Sequence, residues 1–140
     1  MKSLTSNEFK QWLEQYGKAS QENDAKASAE LFTQNARYYE SPFDDPMVGR
    51  EAIYQYWIKG AQTLKDKTAG YEILAVRDNV GIARWQSTFV HIQSGKRAAL
   101  DCMFLVEFDD NGQCSLFREW WHRREVRTAL EEESFNHEDR

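Results

Sequence analysis

"VEFDDNGQCSLFREWWHRRE", residues 106–125, decides how this chain folds. Strand-like runs flank Asn111-Gly112, the strongest short hairpin signal a sequence offers. Read as a two-residue turn, it sets Asp110 opposite Gln113. The ladder then pairs Val106 with Phe117, Phe104 with Glu119 and Cys102 with Trp121 on one face. On the other face it pairs Leu105 with Arg118, Met103 with Trp120 and Asp101 with His122. Ser94-Gly95 centres the preceding hairpin and pairs Trp85 with Phe104, Ser87 with Cys102, Phe89 with Leu100 and His91 with Ala98.

The face carrying Trp85, Phe89, Leu100, Phe104, Val106, Phe117 and Trp121 is the more apolar, and it is expected to meet the rest of the protein. His91 and Glu119 share it. A carboxylate is thus aimed among aromatic rings. A slip of one residue in either turn would reverse part of this assignment, because side chains alternate with period two.

Upstream, the chain reads as helical. Thr5 and Glu8 fit a capping box, with Leu4 and Phe9 at the staple positions. Phe9, Trp12, Leu13 and Tyr16 recur at helical spacing. Asp24 reads as the N-cap of a second helix, "AKASAELF", with Ala27, Leu31 and Phe32 on one side. "ARYYES" reads as a first strand ended by Pro42, and "PFDDPMVG" as a loop. "REAIYQYWIKGA" is a third helix and "TLKDKTAG" a polar connector. Four strand-like runs follow from Tyr71. Helices first and then an antiparallel meander make an α+β pattern. One domain is expected over residues 1–125, with a polar acidic tail over 126–140.

Composition narrows the function. The chain has 140 residues, 14% aromatic, and a net charge of −5, so it has material for a core and no basic stripe for nucleic acid or anionic membranes. No apolar run approaches a membrane span, and "MKSLTSNEFKQW" lacks the apolar core of a signal peptide, so a cytoplasmic protein is expected. Cys102 and Cys114 lie too far apart along the expected ladder for a disulfide and read as free thiols. No Cys or His spacing fits a zinc site, and no metal or cofactor is expected.

"Y16GKASQEND24", "LFTQNARYYESPFDDPMVGREAI" and "ALDCMFLVEFDDNGQCSLFREWW", in that order, resemble the nuclear transport factor 2-like superfamily in its SnoaL-like and ketosteroid-isomerase-like branch. The resemblance covers roughly residues 8–124. It implies a cone-shaped barrel, a curved antiparallel sheet packed against three N-terminal helices and enclosing a pocket, and often a dimer through the outer sheet face. Against the ketosteroid-isomerase pattern, the oxyanion-binding tyrosine is matched by Tyr16 and the active-site tryptophan by Trp121. The general-base aspartate falls on Ser41, just after Glu40, and the second oxyanion donor falls on Phe104. Two of the three catalytic groups are therefore replaced, which argues against steroid isomerisation.

The candidate catalytic residues are Glu119, Tyr16 and His91. Glu119 is either an acid–base group with a pKa raised by burial, or a structural carboxylate held by Arg37, Arg84, Arg123 or a ring donor. Tyr16 can orient a ligand oxygen or simply belong to the core; His91 can move protons or sit hydrated at the rim. Trp85, Phe89, Phe104, Trp121, Phe43 and Trp57 are the expected binding wall for a small hydrophobic ligand. Asp101 and His122 face outward as a cross-strand ion pair or dimer contact. Val90, Met103, Leu105 and Trp120 form an outer apolar patch suited to a homodimer. The function expected is binding of a hydrophobic, oxygen-bearing small molecule, with room for cofactor-free acid–base catalysis of the isomerase, dehydratase, cyclase or hydrolase type; the alternative is a non-enzymatic dimeric binding or interaction domain.

Overall fold

In the computed structural model, which describes residues 2–126, the elements follow the order α1 (Ser6–Gln21), α2 (Ala25–Glu30), β1 (Phe32–Tyr39), β2 (Met47–Val48), α3 (Arg50–Thr63), β3 (Leu64–Arg77), β4 (Val80–His91), β5 (Arg97–Phe108) and β6 (Cys114–Val126). The strands make one six-stranded sheet in the order β2-β1-β6-β5-β4-β3. Its edge strands β2 and β3 do not meet, so the cone is open and is not a closed barrel. The sheet is not wholly antiparallel either, because β1 lies parallel to β6. Helices and strands thus form the expected α+β arrangement.

The capping box at Thr5 is present. The Thr5 hydroxyl accepts from the Glu8 N–H at 3.1 Å, and the Thr5 N–H donates to Glu8 Oε1 at 3.0 Å. Helix α1 runs through Gly17, where a side chain would crowd the Trp85 ring, 3.1 Å from an added Cβ. It ends where Asn23 enters the left-handed region at φ 53°. Asp24 caps α2 as expected, accepting from the Ala27 N–H at 3.0 Å. Phe32, however, is the first residue of β1 and is not helical.

The larger correction concerns "TLKDKTAG". From Leu64 it is the first half of β3, paired to β4 from Leu64–His91 onward. Its polar sequence suits an edge strand, where lysines keep the open edge from pairing with another chain. The β5–β6 register matches the expected one at Val106–Phe117, Phe104–Glu119 and Cys102–Trp121, but by a different route. The loop holds three residues, since the Asp109 N–H bonds the Gln113 carbonyl, and Gly112 takes φ 78°. A bulge then pairs Phe108 with Cys114 and Glu107 with Leu116, which restores the register.

The β4–β5 register differs from the expected one by two residues: Trp85 faces Cys102, Ser87 faces Leu100 and Phe89 faces Ala98. The hairpin loop is centred one residue earlier, with His91 N–H bonded to the Lys96 carbonyl. An even shift leaves every side chain on its expected face. On the inner face, Phe9, Trp12, Leu13 and Tyr16 pack with Phe32, Tyr38, Ile53, Trp85, Phe104 and Phe117. On the outer face Asp101 pairs with Arg84, Nε to Oδ1 at 3.0 Å, and not with His122. Val90 is buried and drops out of the outer patch. Beyond Val126 the acidic tail expected over residues 126–140 lies outside the described residues.

Candidate functional site

Toward one end the inner layer does not fill. Helices α1 and α3 and the inner sheet face leave a cavity of about 530 Å³, within the range that holds small organic ligands. Two further concavities are present, and the second is bordered by Phe43, Arg84, Asp101, Cys102, Glu119 and Trp121 among others, so Glu119 stands between it and the cavity. Seven of the nine residues expected from the sequence line the cavity: Tyr16 from α1, Trp57 from α3, Trp85, Phe89 and His91 from β4, Phe104 from β5 and Glu119 from β6. The other two do not. Phe43 is 96% exposed on the loop after β1. Trp121 stands at the rim, with its indole N–H donating to the Glu40 carbonyl at 3.1 Å.

Glu119 sits opposite Phe104 in the ladder. Burial raises its pKa from an ordinary 4.5 to about 8, and the like charge of Glu40 adds to the rise. No hydrogen bond or basic group opposes it. The arginines that could have held it are placed elsewhere. Arg84 is engaged by Asp101 outside, Arg123 bonds His91, and Arg37 is exposed beside Val48. Glu119 is therefore a carboxylic acid at neutral pH, able to donate a proton as well as accept a hydrogen bond.

Three phenols share its surroundings. The hydroxyls of Tyr16 and Tyr38 lie 3.3 Å apart, and the Tyr56 hydroxyl donates to Glu40 Oε1 at 3.3 Å. All three are pushed above an ordinary phenol, first by burial and then by the Glu119 charge. They remain protonated donors. Cys102 also lines the cavity, but burial pushes its thiol up to about 12, so it is not a ready nucleophile. The Trp57 indole N–H is buried without an acceptor, an open demand in the wall of the site.

Sequence reasoning missed Tyr38, Tyr56 and the role of Glu40. Alternation along β1 was the available signal, since buried Ala36 and Tyr38 lead by steps of two to Glu40. The adjacent pair Tyr38-Tyr39 hid which ring points inward.

The SnoaL-like domain family model matches residues 13–116. A solved structure described as the "epoxide hydrolase/cyclase-like enzyme SalBIII in pyran ring formation in polyether salinomycin" is similar, with a TM-score of 0.73 and 19% identity, over 83% of this chain and 92% of that one. No curated protein sequence matches the chain.

Proposed function

The chain belongs to the SnoaL-like domain family, and from that premise we propose that its cavity binds a hydrophobic, oxygen-bearing small molecule and carries out cofactor-free acid–base chemistry of the hydrolase or cyclase type. One observation carries the proposal: Glu119 is an uncompensated carboxyl with its pKa at about 8, set in an aromatic cavity beside a second carboxyl. An enzyme working near neutral pH needs an acid tuned to that range.

Opening a strained cyclic ether uses such a pair. Glu119 gives its proton to the ether oxygen as the C–O bond breaks. Water, or a hydroxyl of the same molecule, forms the new C–O bond and releases its proton to Glu40 through the hydrogen-bonded Tyr56 hydroxyl. A proton returned from Glu40 to Glu119 through water closes the cycle. Tyr16 and Tyr38 orient the substrate oxygen as donors. SalBIII is described as epoxide hydrolase/cyclase-like; at 19% identity that likeness speaks for the fold, and the chemistry here rests on the carboxyl pair.

Incubation with cyclohexene oxide tests this by diol formation. Glu119→Gln should reduce turnover by about a hundredfold or more, and wild-type turnover should fall as pH rises through about 8, where Glu119 loses its proton. Undiminished turnover in the variant would sink the assignment. The reading also includes a cytoplasmic protein, in line with two buried free thiols, and a homodimer through the outer sheet face. There Met103 and Trp120 are 39% and 43% exposed.

A further inference from the structure

Basic groups at the cavity's other end take no part in this chemistry. Arg123 and Lys67 line the same cavity as Glu119. Neither forms an ion pair among the described residues. Lys59 lines it as well and is likewise without an ion pair among the described residues, so in a chain of net charge −5 three unmatched cations at one cavity are a local reversal of sign.

Lys67 arrives there through a fault in the ladder. Lys65 pairs with Val90 and Thr68 with Thr88, so Asp66 and Lys67 together oppose Phe89, and Asp66 takes φ 51°. The extra residue breaks the alternation, and Leu64 and Lys67 both reach the cavity. A bulge of this kind re-aims a side chain. Lys67 Nζ lies 5.6 Å from the Trp57 ring centre. Burial lowers its pKa, and no carboxylate opposes that shift.

Arg123 lies over the Phe89 ring at 5.7 Å and contacts His91 Nε2 at 2.6 Å. A guanidinium only donates, so His91 accepts at Nε2 and carries its own proton on Nδ1. The rest of the guanidinium fork has no side-chain or backbone acceptor among the described residues. Arg123 and Glu119 are four positions apart on β6, ~13 Å along the strand. The cavity is thus acidic at one end, basic at the other, and aromatic between.

We infer that the ligand is an elongated amphiphilic carboxylate. Its anionic end is bound by Arg123 and Lys67, its hydrocarbon lies on Trp57, Phe89 and Trp85, and its reacting oxygen reaches Glu119. The inference rests on the cavity being a ligand site, as proposed above, and adds the anion subsite. The planar guanidinium fork matches a carboxylate in two parallel hydrogen bonds. Lys67 supplies a second charge whose desolvation is already in place before the ligand arrives.

Calorimetric titration of the full chain with decanoate and with decanol near neutral pH tests it. Decanoate should bind about tenfold more tightly or better, as expected of charge-assisted hydrogen bonds, and the preference should shrink with added salt. Arg123→Gln and Lys67→Met should each remove most of the preference, read as the ratio of decanoate to decanol affinity in the same variant. Arg123 is exposed, so its variant does not threaten the core. Equal affinities in the wild type, or a preference kept in both variants, would overturn the anion subsite while the cavity stands as a ligand site. Binding of neither probe would overturn both.

Discussion

Replacing Glu119 by Gln should make the protein more stable at neutral pH and leave it unchanged in acid. Gln has the shape and the neutrality of the protonated carboxyl but cannot ionise. A folded-state pKa raised from 4.5 to about 8, at about 1.4 kcal/mol per unit, disfavours the ionised folded protein by roughly 4–5 kcal/mol at most. The sign follows from proton counting. Between those two values the unfolded chain has lost the Glu119 proton and the folded chain still holds it, so wild-type stability falls as pH rises. Above the folded value both states are ionised and the fall stops. At neutral pH the difference between variant and wild type should be about 3 kcal/mol, lowered by whatever water enters the half-buried site. Urea unfolding of both proteins, followed by tryptophan fluorescence from about pH 5 to about pH 9, measures it; other titrating groups cancel in the difference. A constant difference across that range would refute the reasoning. So would a wild type that gains on the variant as pH rises, the signature of a carboxylate held by a cation.

Gly81→Ala tests the closeness of α1 to the sheet. The new Cβ would lie 2.5 Å from the Phe9 ring, which is fully buried and has no room to yield, so a loss of about 1–3 kcal/mol in the same unfolding assay is expected. Trp120→Glu tests the dimer: sedimentation should find a dimer for the wild type and a monomer for the variant, and a monomeric wild type would end that proposal.

What the sequence revealed about the sheet depended on the parity of its errors. The Asn111-Gly112 signal placed the hairpin correctly, but the loop is one residue longer than expected and the bulge near Ser115 compensates. Two odd departures cancelled, so Glu119 faces inward as read. The β4–β5 error was even and left Trp85 and Phe89 on their face. Trp85 still stacks on Phe104, at 5.3 Å, as a diagonal neighbour. The first half of β3 was illegible because an edge strand rich in Lys and Thr has no apolar alternation to display, and its bulge re-aims Lys67 into the site. Tyr38, Glu40 and Tyr56 were missed for another reason. Tyr38 and Glu40 meet Glu119 through the parallel β1–β6 pairing, which joins segments some 80 residues apart without any turn to announce it, and Tyr56 comes from α3 through its bond to Glu40.

Every rule of stability argues against a carboxylate at residue 119. The position faces Phe104 across the ladder, next to a core of aromatic rings, and no hydrogen bond from a described residue opposes its raised pKa. A Gln or an apolar residue there would remove a penalty of about 3 kcal/mol at neutral pH, a large part of the few kcal/mol by which a domain of this size outlasts unfolding. Structural carboxylates escape that penalty by acquiring an arginine, and three lie within the same half of the sheet: Arg37, Arg84 and Arg123. None forms an ion pair with it. Arg84 is committed to Asp101 on the outer face, and Arg123 is drawn four positions along β6 to His91. A local choice that conflicts with its surroundings and has no compensating partner marks a functional site more often than a structural one. The opposite placement of charge at the far end, where Lys67 and Arg123 lack carboxylates, repeats the pattern with the sign reversed. Pairing these groups with one another would stabilise the empty protein and would remove both the proton donor and the anchor. Their separation is the arrangement that the proposed ligand, lying between them, requires.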